Sequence, residues 1–179
     1  AHGQKVILTV GSLTNQKNHY EFIDIIASLH FEHGLNVKGL IAGDGPLRDD
    51  LNRYASAKGL GSRIEFLGFV DNTDRLYSNC DLFLLTSLYE GLPTVLLEAM
   101  LHRIQIISAN CDSGPAELLT GRNSWRLYEL HNIKQANEKI VDLFKNEKMA
   151  NIEDISYDDN LFRYTIHNAS WNYFKTVTC

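Results

Sequence analysis

Cysteine is scarce in this sequence, and the three that occur do not form any of the usual cysteine-based scaffolds. Cys80, Cys111 and Cys179 are widely spaced and contain no CxxC pair or Cys/His cluster that would indicate zinc. The seven histidines include no H-x-x-x-H pair, so we predict no metal site. A reducing, cytoplasmic setting fits this pattern, and Cys80 is expected to be a small, partly buried residue.

Long apolar runs and an excess of basic charge are also missing. The strongest apolar stretch, residues 81–86, is far shorter than a membrane span of about 20 residues. We expect no signal peptide at the N-terminus. With 17 Lys and Arg against 22 Asp and Glu, the formal net charge is −5, which argues against a surface devoted to nucleic acid. A local cationic pocket for a phosphate remains compatible with this charge.

What the sequence does contain is a regular alternation of short apolar runs and amphipathic segments. Strands are predicted for residues 5–10, 37–42, 64–67, 81–86, 104–108 and 125–128. Helices are predicted for residues 17–33, 47–58, 71–79, 93–102, 114–119, 133–145 and 160–174. The strands are apolar throughout rather than alternating, which indicates a parallel sheet that is covered on both faces. The predicted fold class is therefore α/β, with a Rossmann-like, doubly wound parallel sheet.

In sheets of this kind, ligands bind in the loops at the carboxyl ends of the strands, where the strand order reverses. The loops that follow the predicted strands are residues 11–17, 43–46, 68–70, 87–93 and 110–115. Residues 43–46 read Gly-Asp-Gly-Pro, which is typical of a turn, and contact with a ligand is left open there.

The most informative segment is residues 87–100, which leaves a buried strand and enters a helix at Pro93. Proline suits the first helical turn because its φ is fixed. Gly91 lets the backbone approach a ligand without a Cβ in the way. The first-turn amides around Thr94 and Val95 are unpaired donors at the positive end of the helix dipole, so they suit a diphosphate.

Two carboxylates bracket this predicted anion site. Glu90 precedes the helix, and Glu98 lies about one and a half turns inside it. Taken alone, both would be read as solvated surface charges. Beside a phosphate-binding helix end, however, each carboxylate suits a pair of sugar hydroxyls, and together they predict a nucleotide-sugar site with one sugar on each side of the diphosphate.

Glu90 and Glu98 are separated by seven residues, with Gly-Leu-Pro after the first, and this spacing resembles the E-x7-E signature of family-4 retaining glycosyltransferases. The resemblance covers about residues 5–120 and rests on the order and spacing of several short pieces. These pieces are residues 10–18 (VGSLTNQKN), 42–47 (AGDGPL), 64–68 (IEFLG), 76–77 (LY), 81–83 (DLF) and 114–117 (GPAE).

The resemblance implies one half of a GT-B architecture, in which two Rossmann-like domains enclose the active site. Residues 1–179 would be the C-terminal, nucleotide-sugar-binding domain, and the N-terminal acceptor domain would be absent from this chain. The donor would be a nucleoside-diphosphate sugar acting as substrate, with a UDP-sugar favoured and no cofactor.

The same resemblance assigns roles to individual residues. Glu98 would hold the ribose hydroxyls, and Glu90 would hold the transferred sugar as a catalytic residue. Lys17, the second catalytic residue, would neutralise the departing diphosphate as charge builds on the leaving oxygen. The remaining donor-binding residues would be Gly91, Leu92, Pro93 and Thr94 around the diphosphate and sugar, Gly11 and Ser12 in the first loop, and Gly68, Phe69 and Val70 near the base.

One departure from the family pattern concerns charge. The family usually has Gly-Arg-Leu where residues 11–13 read Gly-Ser-Leu, so a second cation is missing. Lys17 would then carry the charge alone, unless Arg48, Arg122 or the absent domain assists. Glu117 could either favour its own helix dipole or contact the donor.

His19 follows this loop and is expected at the surface rather than against a ligand.

The predicted function is retaining transfer of a hexosyl or N-acetylhexosaminyl group to a glycan or lipid-linked acceptor in bacterial surface polysaccharide biosynthesis, such as O-antigen or capsule. The leaving diphosphate would help to deprotonate the acceptor, so no protein nucleophile is nominated. The isolated domain is expected to be inactive, and the absent domain would supply any contact with the inner face of the membrane. The alternative is a non-catalytic nucleotide-sugar-binding module. An isomerase would need acid and base residues that the sequence does not identify.

Overall fold

Six parallel strands form one sheet in the computed structural model, which describes residues 3–145. The strands are β1 (Lys5–Val10), β2 (Val37–Ala42), β3 (Ile64–Gly68), β4 (Leu82–Leu85), β5 (Gln105–Asn110) and β6 (Leu127–Glu129). The helices are α1 (His19–Phe31), α2 (Arg48–Ala57), α3 (Asp74–Ser78), α4 (Thr94–Leu101), α5 (Pro115–Leu118) and α6 (Ile133–Lys145). Short 3₁₀ segments are Asn15–Lys17, Gly61–Arg63 and Gly121–Arg126. The helix predicted for residues 160–174 lies outside the described residues.

The strand order is β3-β2-β1-β4-β5-β6, which confirms the predicted Rossmann-like, doubly wound sheet. The chain begins in the middle at β1, winds outward through β2 to β3, and then returns to place β4 on the other side of β1. β1 pairs with β2 along its whole length and with β4 through Ile7 and Leu8. Because the connections leave β1 and β4 in opposite directions, a crevice opens between the carboxyl ends of these two strands.

The strands are buried on both faces, and alternate side chains point to opposite sides. In β4, Leu82 and Leu84 join the core formed with α1, α2 and α6. Phe83 and Leu85 join the core formed with α3, α4 and α5. This division explains why the strand sequence is apolar throughout, and it gives the protein three layers of helix, sheet and helix.

The predicted boundaries agree with the structure to within about two residues, except at the start of α3, and one predicted helix is divided. The predicted helix over residues 17–33 is divided at Asn18, whose left-handed φ of 50° separates a 3₁₀ turn from α1. The predicted helix over residues 71–79 is shorter because the Asn72 side chain accepts the Asp74 amide at 2.9 Å, which stabilises a turn before α3.

The loops after β1 and β2 pack against each other at the crevice. The Leu13 amide donates to Asp44 O at 3.0 Å, and the Leu47 amide donates to Leu13 O at 3.1 Å. Gly43 has a φ of +142°, and a Cβ there would lie 2.0 Å from the Gly11 carbonyl oxygen. The predicted turn at residues 43–46 is therefore a packing element that supports the loop after β1.

Within residues 3–145, every helix is too short or too polar to cross a membrane.

Gly43→Ala should destabilise the protein, because the new methyl group meets the Gly11 carbonyl and alanine is strained at this φ. We expect a loss of about 2 kcal/mol or more in the free energy of unfolding, measured by urea denaturation. Gly3→Ala is the control, since a Cβ there meets nothing within 4 Å. Equal stability of the two variants would contradict the packing assigned to Gly43.

Candidate functional site

An ion pair lies at the crevice between β1 and β4. Lys17 Nζ is 2.6 Å from Glu90 Oε1, and the two side chains are 17% and 6% exposed. The Ser87 hydroxyl donates to the same oxygen at 2.6 Å. Within the described part of the chain, Glu90 Oε2 has no hydrogen-bond partner. One carboxylate oxygen is thus fixed by the protein, and the other remains available to a ligand.

The loop after β1 is tied to the loop after β4 by further hydrogen bonds. The Leu88 amide donates to Gln16 O at 2.8 Å, and the Gln16 side chain donates to Tyr89 O at 3.0 Å. The Lys17 side chain runs across Gly11, where a Cβ would lie 3.3 Å from its methylene groups. Gly11 therefore leaves the space that lets Lys17 reach Glu90.

The loop after β5 holds Glu90 from the other side. The Ser113 hydroxyl donates to Glu90 O at 2.6 Å. Gly114 has a φ of +79°, and a Cβ there would lie 2.5 Å from Gly91 O and 2.8 Å from Pro93 Cδ. Loops from three neighbouring strands, β1, β4 and β5, thus meet at Glu90 and fix its position.

The start of α4 is open beside this ion pair. Gly91 and Thr94 are exposed, and a Cβ at Gly91 would meet nothing within 4 Å. The Thr94 and Val95 amides have no acceptor among the residues that the structure describes. Pro93 precedes the first helical residue instead of being it, and its carbonyl accepts the Leu96 amide at 2.9 Å. Free donors at a helix start favour an anion.

Leu92 is half-buried and packs against the core formed with α3, α4 and α5.

Glu98 lies on α4 and contacts α3 instead of the Lys17–Glu90 pair. Its Oε2 accepts the Thr73 hydroxyl at 3.3 Å, and Tyr77 beside it donates to Val95 O at 3.2 Å. Burial raises the pKa of Glu98 above its ordinary value, and the nearby Asp74 carboxylate acts in the same direction. The two predicted carboxylates therefore flank the start of α4 with different partners.

The residues predicted to meet the base follow β3, two strands away from β1. Gly68 accepts the Gly43 amide at 2.7 Å through its carbonyl and has a φ of +73°. Phe69 is 77% exposed, whereas Val70 is half-buried and packs against the core formed with α3, α4 and α5. Thr73, a few residues further along the chain, connects this loop to α4 through Glu98.

Arg48 and Arg122 are the candidates for a second cation beside Lys17. Arg48 is 3.7 Å from Asp44 and donates to Phe66 O at 3.5 Å, so it lies at the ends of β2 and β3. Arg122 is exposed in the 3₁₀ segment before β6. Ser12 is exposed in the loop after β1. Glu117 accepts the Gly114 amide at 3.5 Å, which favours its role at the start of its own helix.

The expectation that His19 lies at the surface is wrong. His19 is 1% exposed because α1 begins directly after the left-handed Asn18 and carries the imidazole beneath the loop after β1. Its Nε2 is 3.3 Å from Ser12 O, and its Nδ1 has no hydrogen-bond partner among residues 3–145. Burial lowers the pKa of His19 to about 4, with Lys17 contributing, so the ring is neutral and donates through Nε2.

Sequence reasoning missed the side chains that hold the predicted residues in place: Ser87, Ser113, Gln16 and Thr73. They lie on loops from different strands, so their spacing along the chain gives no signal. Across residues 3–145, no group of three or more His, Cys, Asp or Glu side chains is arranged to hold a metal ion.

The fold and the crevice define a Rossmann-like α/β domain whose strand order reverses between β1 and β4, where the buried Lys17–Glu90 pair lies. The family described as glycosyl transferases group 1 matches residues 1–155. The chain belongs to this family, as a domain with relatives in polysaccharide biosynthesis.

Two relatives and one solved structure illustrate the similarity. The chain is 37% identical over 116 residues to the Campylobacter jejuni (subsp. jejuni serotype O:2) GalNAc-α-(1→4)-GalNAc-α-(1→3)-diNAcBac-PP-undecaprenol α-1,4-N-acetyl-D-galactosaminyltransferase, covering 65% of this chain and 32% of that protein. It is 34% identical over 119 residues to the amylovoran biosynthesis glycosyltransferase AmsD of Erwinia amylovora, covering 66% of this chain and 33% of AmsD. Anabaena HepE, solved with UDP and glucose, superposes with a TM-score of 0.78 at 23% identity. The match covers 97% of this chain and 48% of HepE. The chain spans about a third of the length of these curated relatives.

Lys17→Met should destabilise the protein by about 3 kcal/mol or more, because it leaves the buried Glu90 carboxylate without a cation. Adding Glu90→Gln to Lys17→Met should recover much of the lost stability. Urea denaturation measures the free energy of unfolding of the single and the double variant. Lys38 and Glu65 form a pair at the same 2.6 Å distance but are more exposed, at 30% and 48%. Lys38→Met should therefore cost less than about 1 kcal/mol. Equal losses for the two lysine variants would contradict the role of burial.

His19 should make the protein sensitive to acid. Its pKa is about 6.5 when unfolded and about 4 when folded, so the unfolded chain binds a proton first as the pH falls. The stability that the neutral His19 contributes is fully present above pH 6.5. As the pH falls from 6.5 towards 4, the free energy of unfolding should decrease by about 3 kcal/mol. His19→Gln should flatten this part of the stability profile, measured by denaturation at several pH values. His33→Gln, at an exposed site after α1, is the control. An unchanged profile in His19→Gln would refute the assignment.

Proposed function

We propose that this chain binds a nucleoside-diphosphate sugar at the β1–β4 crevice as the C-terminal donor domain of a GT-B glycosyltransferase. The enzyme transfers a hexosyl or N-acetylhexosaminyl group, with retention of configuration, to a glycan or lipid-linked acceptor on the cytoplasmic side of a bacterial membrane. The observation that carries the proposal is the buried Lys17–Glu90 pair beside the open start of α4.

The diphosphate binds between Lys17 and the Thr94 and Val95 amides. The ammonium group and the helix dipole both favour an anion, and Gly91 leaves room for its approach. When Lys17 turns to the phosphate, Ser87 continues to hold Glu90 through the 2.6 Å hydrogen bond. Donor binding thus exchanges one ionic partner of Lys17 for another without releasing the Glu90 carboxylate from its loop.

The sugar of the donor binds against Glu90. Its free oxygen, Oε2, accepts a sugar hydroxyl, while Lys17 and Ser87 hold Oε1 in the resting state. As the bond to the diphosphate breaks, negative charge grows on the leaving oxygen, and the nearby ammonium group of Lys17 stabilises it. The departing diphosphate then takes the proton of the acceptor hydroxyl on the same face of the sugar, so configuration is retained without a protein nucleophile.

The nucleoside extends from this point towards β3. Glu98 accepts the ribose hydroxyls in place of the Thr73 hydroxyl, and the base lies against residues 68–70. The exposed Phe69 ring and the backbone on either side of it are accessible for this contact.

The relatives give independent support for the substrate class. AmsD is described as an amylovoran biosynthesis glycosyltransferase, and the Campylobacter jejuni relative acts on an undecaprenol-linked glycan. HepE was solved with UDP and glucose, which favours a UDP-sugar as the donor. Thermal shift with a panel of UDP-, GDP- and ADP-sugars tests the base preference, since a bound donor raises the melting temperature.

A non-catalytic nucleotide-sugar-binding module is the second candidate. The exposed Ser12 favours it, because the family places a second cation at this position and Arg48 is engaged by Asp44. A protein that contains this chain and binds the donor without transferring its sugar to any glycan would favour this module over the enzyme.

Glu98→Ala should weaken binding of a UDP-sugar about tenfold, because the ribose loses its carboxylate partner. Wild-type affinity should also fall as the pH is lowered, beginning above the ordinary pKa of glutamate because the pKa of Glu98 is raised by burial. Glu98→Gln should remove this pH dependence. Isothermal titration calorimetry measures both effects, with Glu138→Ala on the exposed face of α6 as the control. Unchanged affinity in Glu98→Ala would rule out the ribose role.

A further inference from the structure

A second concave site lies at the carboxyl ends of β5 and β6. It is an open pocket of about 710 Å³, which is within the range of about 300–1,000 Å³ for small-molecule sites. Its polar lining includes Asn110, Asp112, Ser124 and Glu129, and Leu88 contributes to its apolar wall.

The pocket is continuous with the loop that carries Glu90. Leu88 lines the pocket two residues before Glu90, and Tyr89 between them forms a bridge with Asp112. Along the sheet, residues 68–70 follow β3 at one edge, Glu90 follows β4 in the middle, and the pocket follows β5 and β6 at the other edge. A donor whose base lies towards β3 therefore presents its sugar on the side where the pocket lies.

Several polar groups of the pocket are unused by the protein. The side chains of Asn110, Asp112 and Ser124 are exposed and have no hydrogen-bond partner within residues 3–145. By contrast, Glu129 already accepts the Asn132 amide group at 3.2 Å. Together, the three unused side chains offer an amide, a carboxylate and a hydroxyl, which can donate to and accept from neighbouring sugar hydroxyls.

The charge of the pocket selects the kind of ligand. Asp112 and Glu129 are its ionisable carboxyl groups, and neither Lys nor Arg is among the described residues that line it. Such a lining repels phosphate and acidic sugars and favours a neutral ligand rich in hydroxyl groups. Tyr89, which is 57% exposed beside Asp112, adds an aromatic surface at the rim.

We propose that this pocket binds a neutral sugar ring of the acceptor glycan and presents it to the donor sugar at Glu90. The acceptor role rests on the proposed function, whereas sugar binding in the pocket does not. The donor domain then contributes to acceptor recognition through Asn110, Asp112 and Ser124.

The test uses the 179-residue chain and two neutral probes, methyl α-D-galactopyranoside and methyl N-acetyl-α-D-galactosaminide. Saturation-transfer difference NMR measures their affinity. We expect the double variant Asn110→Ala/Asp112→Ala to bind about tenfold more weakly, because it removes two hydrogen-bonding groups. Asp49→Ala on α2 is the matched control. Thermal unfolding checks that the double variant is folded, and Ser124→Ala gives a second measurement at an exposed position.

Donor-site controls separate this inference from the proposed function. Saturating UDP and the Glu98→Ala variant should both leave binding of the neutral sugar unchanged. Sugar binding that persists without any UDP-sugar binding would refute the donor assignment but retain the pocket. The pocket assignment would be overturned by undetectable sugar binding at tens of millimolar, by full affinity in the double variant, or by displacement with UDP.

Discussion

The ion pair between Lys17 and Glu90 is the interaction on which the site depends. A carboxylate that is only 6% exposed needs a cation and hydrogen bonds where it lies, and the loop after β1 supplies the cation. Three neighbouring residues support this ion pair. Gly11 leaves space for the lysine stem, Ser87 donates to the paired oxygen, and Ser113 fixes the backbone of Glu90. The ion pair thereby links the loops that follow β1 and β4, the two strands between which the sheet reverses its order.

The same interaction bears on the proposed binding of an anion at the crevice. Lys17 is held by Glu90 in the absence of any ligand. Under the proposed function, little side-chain entropy would therefore remain to be lost when a phosphate replaces Glu90 as its partner. Ser87 keeps the glutamate in position during this exchange. A single resting contact thus orders both the cation and the carboxylate in advance, which is the arrangement that electrostatic stabilisation of a leaving group requires.

The fold was predictable because buried strands are short apolar runs that end at glycine or polar residues. The bounds of β1 and β2 agree with the sequence-based prediction, because each apolar run is followed directly by a glycine, Gly11 or Gly43. The division at Asn18 and the burial of His19 were not predictable, because a left-handed residue changes the direction of the chain without changing its composition. The spacing of Glu90 and Glu98 predicts both as site residues, but it does not predict their partners, which come from separate loops that only folding brings together.

Positive charge is scarce at this crevice, and this limits how the proposed diphosphate could be held. With Ser12 exposed and Arg48 turned to Asp44, Lys17 is the cation that the geometry provides beside Glu90. In the proposed complex, the Thr94 and Val95 amides would supply the remaining donors to the diphosphate. The packing of Gly114 against Gly91 and Pro93 holds the loop that precedes these amides. Backbone amides cannot turn away from a ligand as a long side chain can. Under the proposed function, recognition would therefore depend more on the shape of the loops than on net charge, in keeping with a chain whose overall charge is negative.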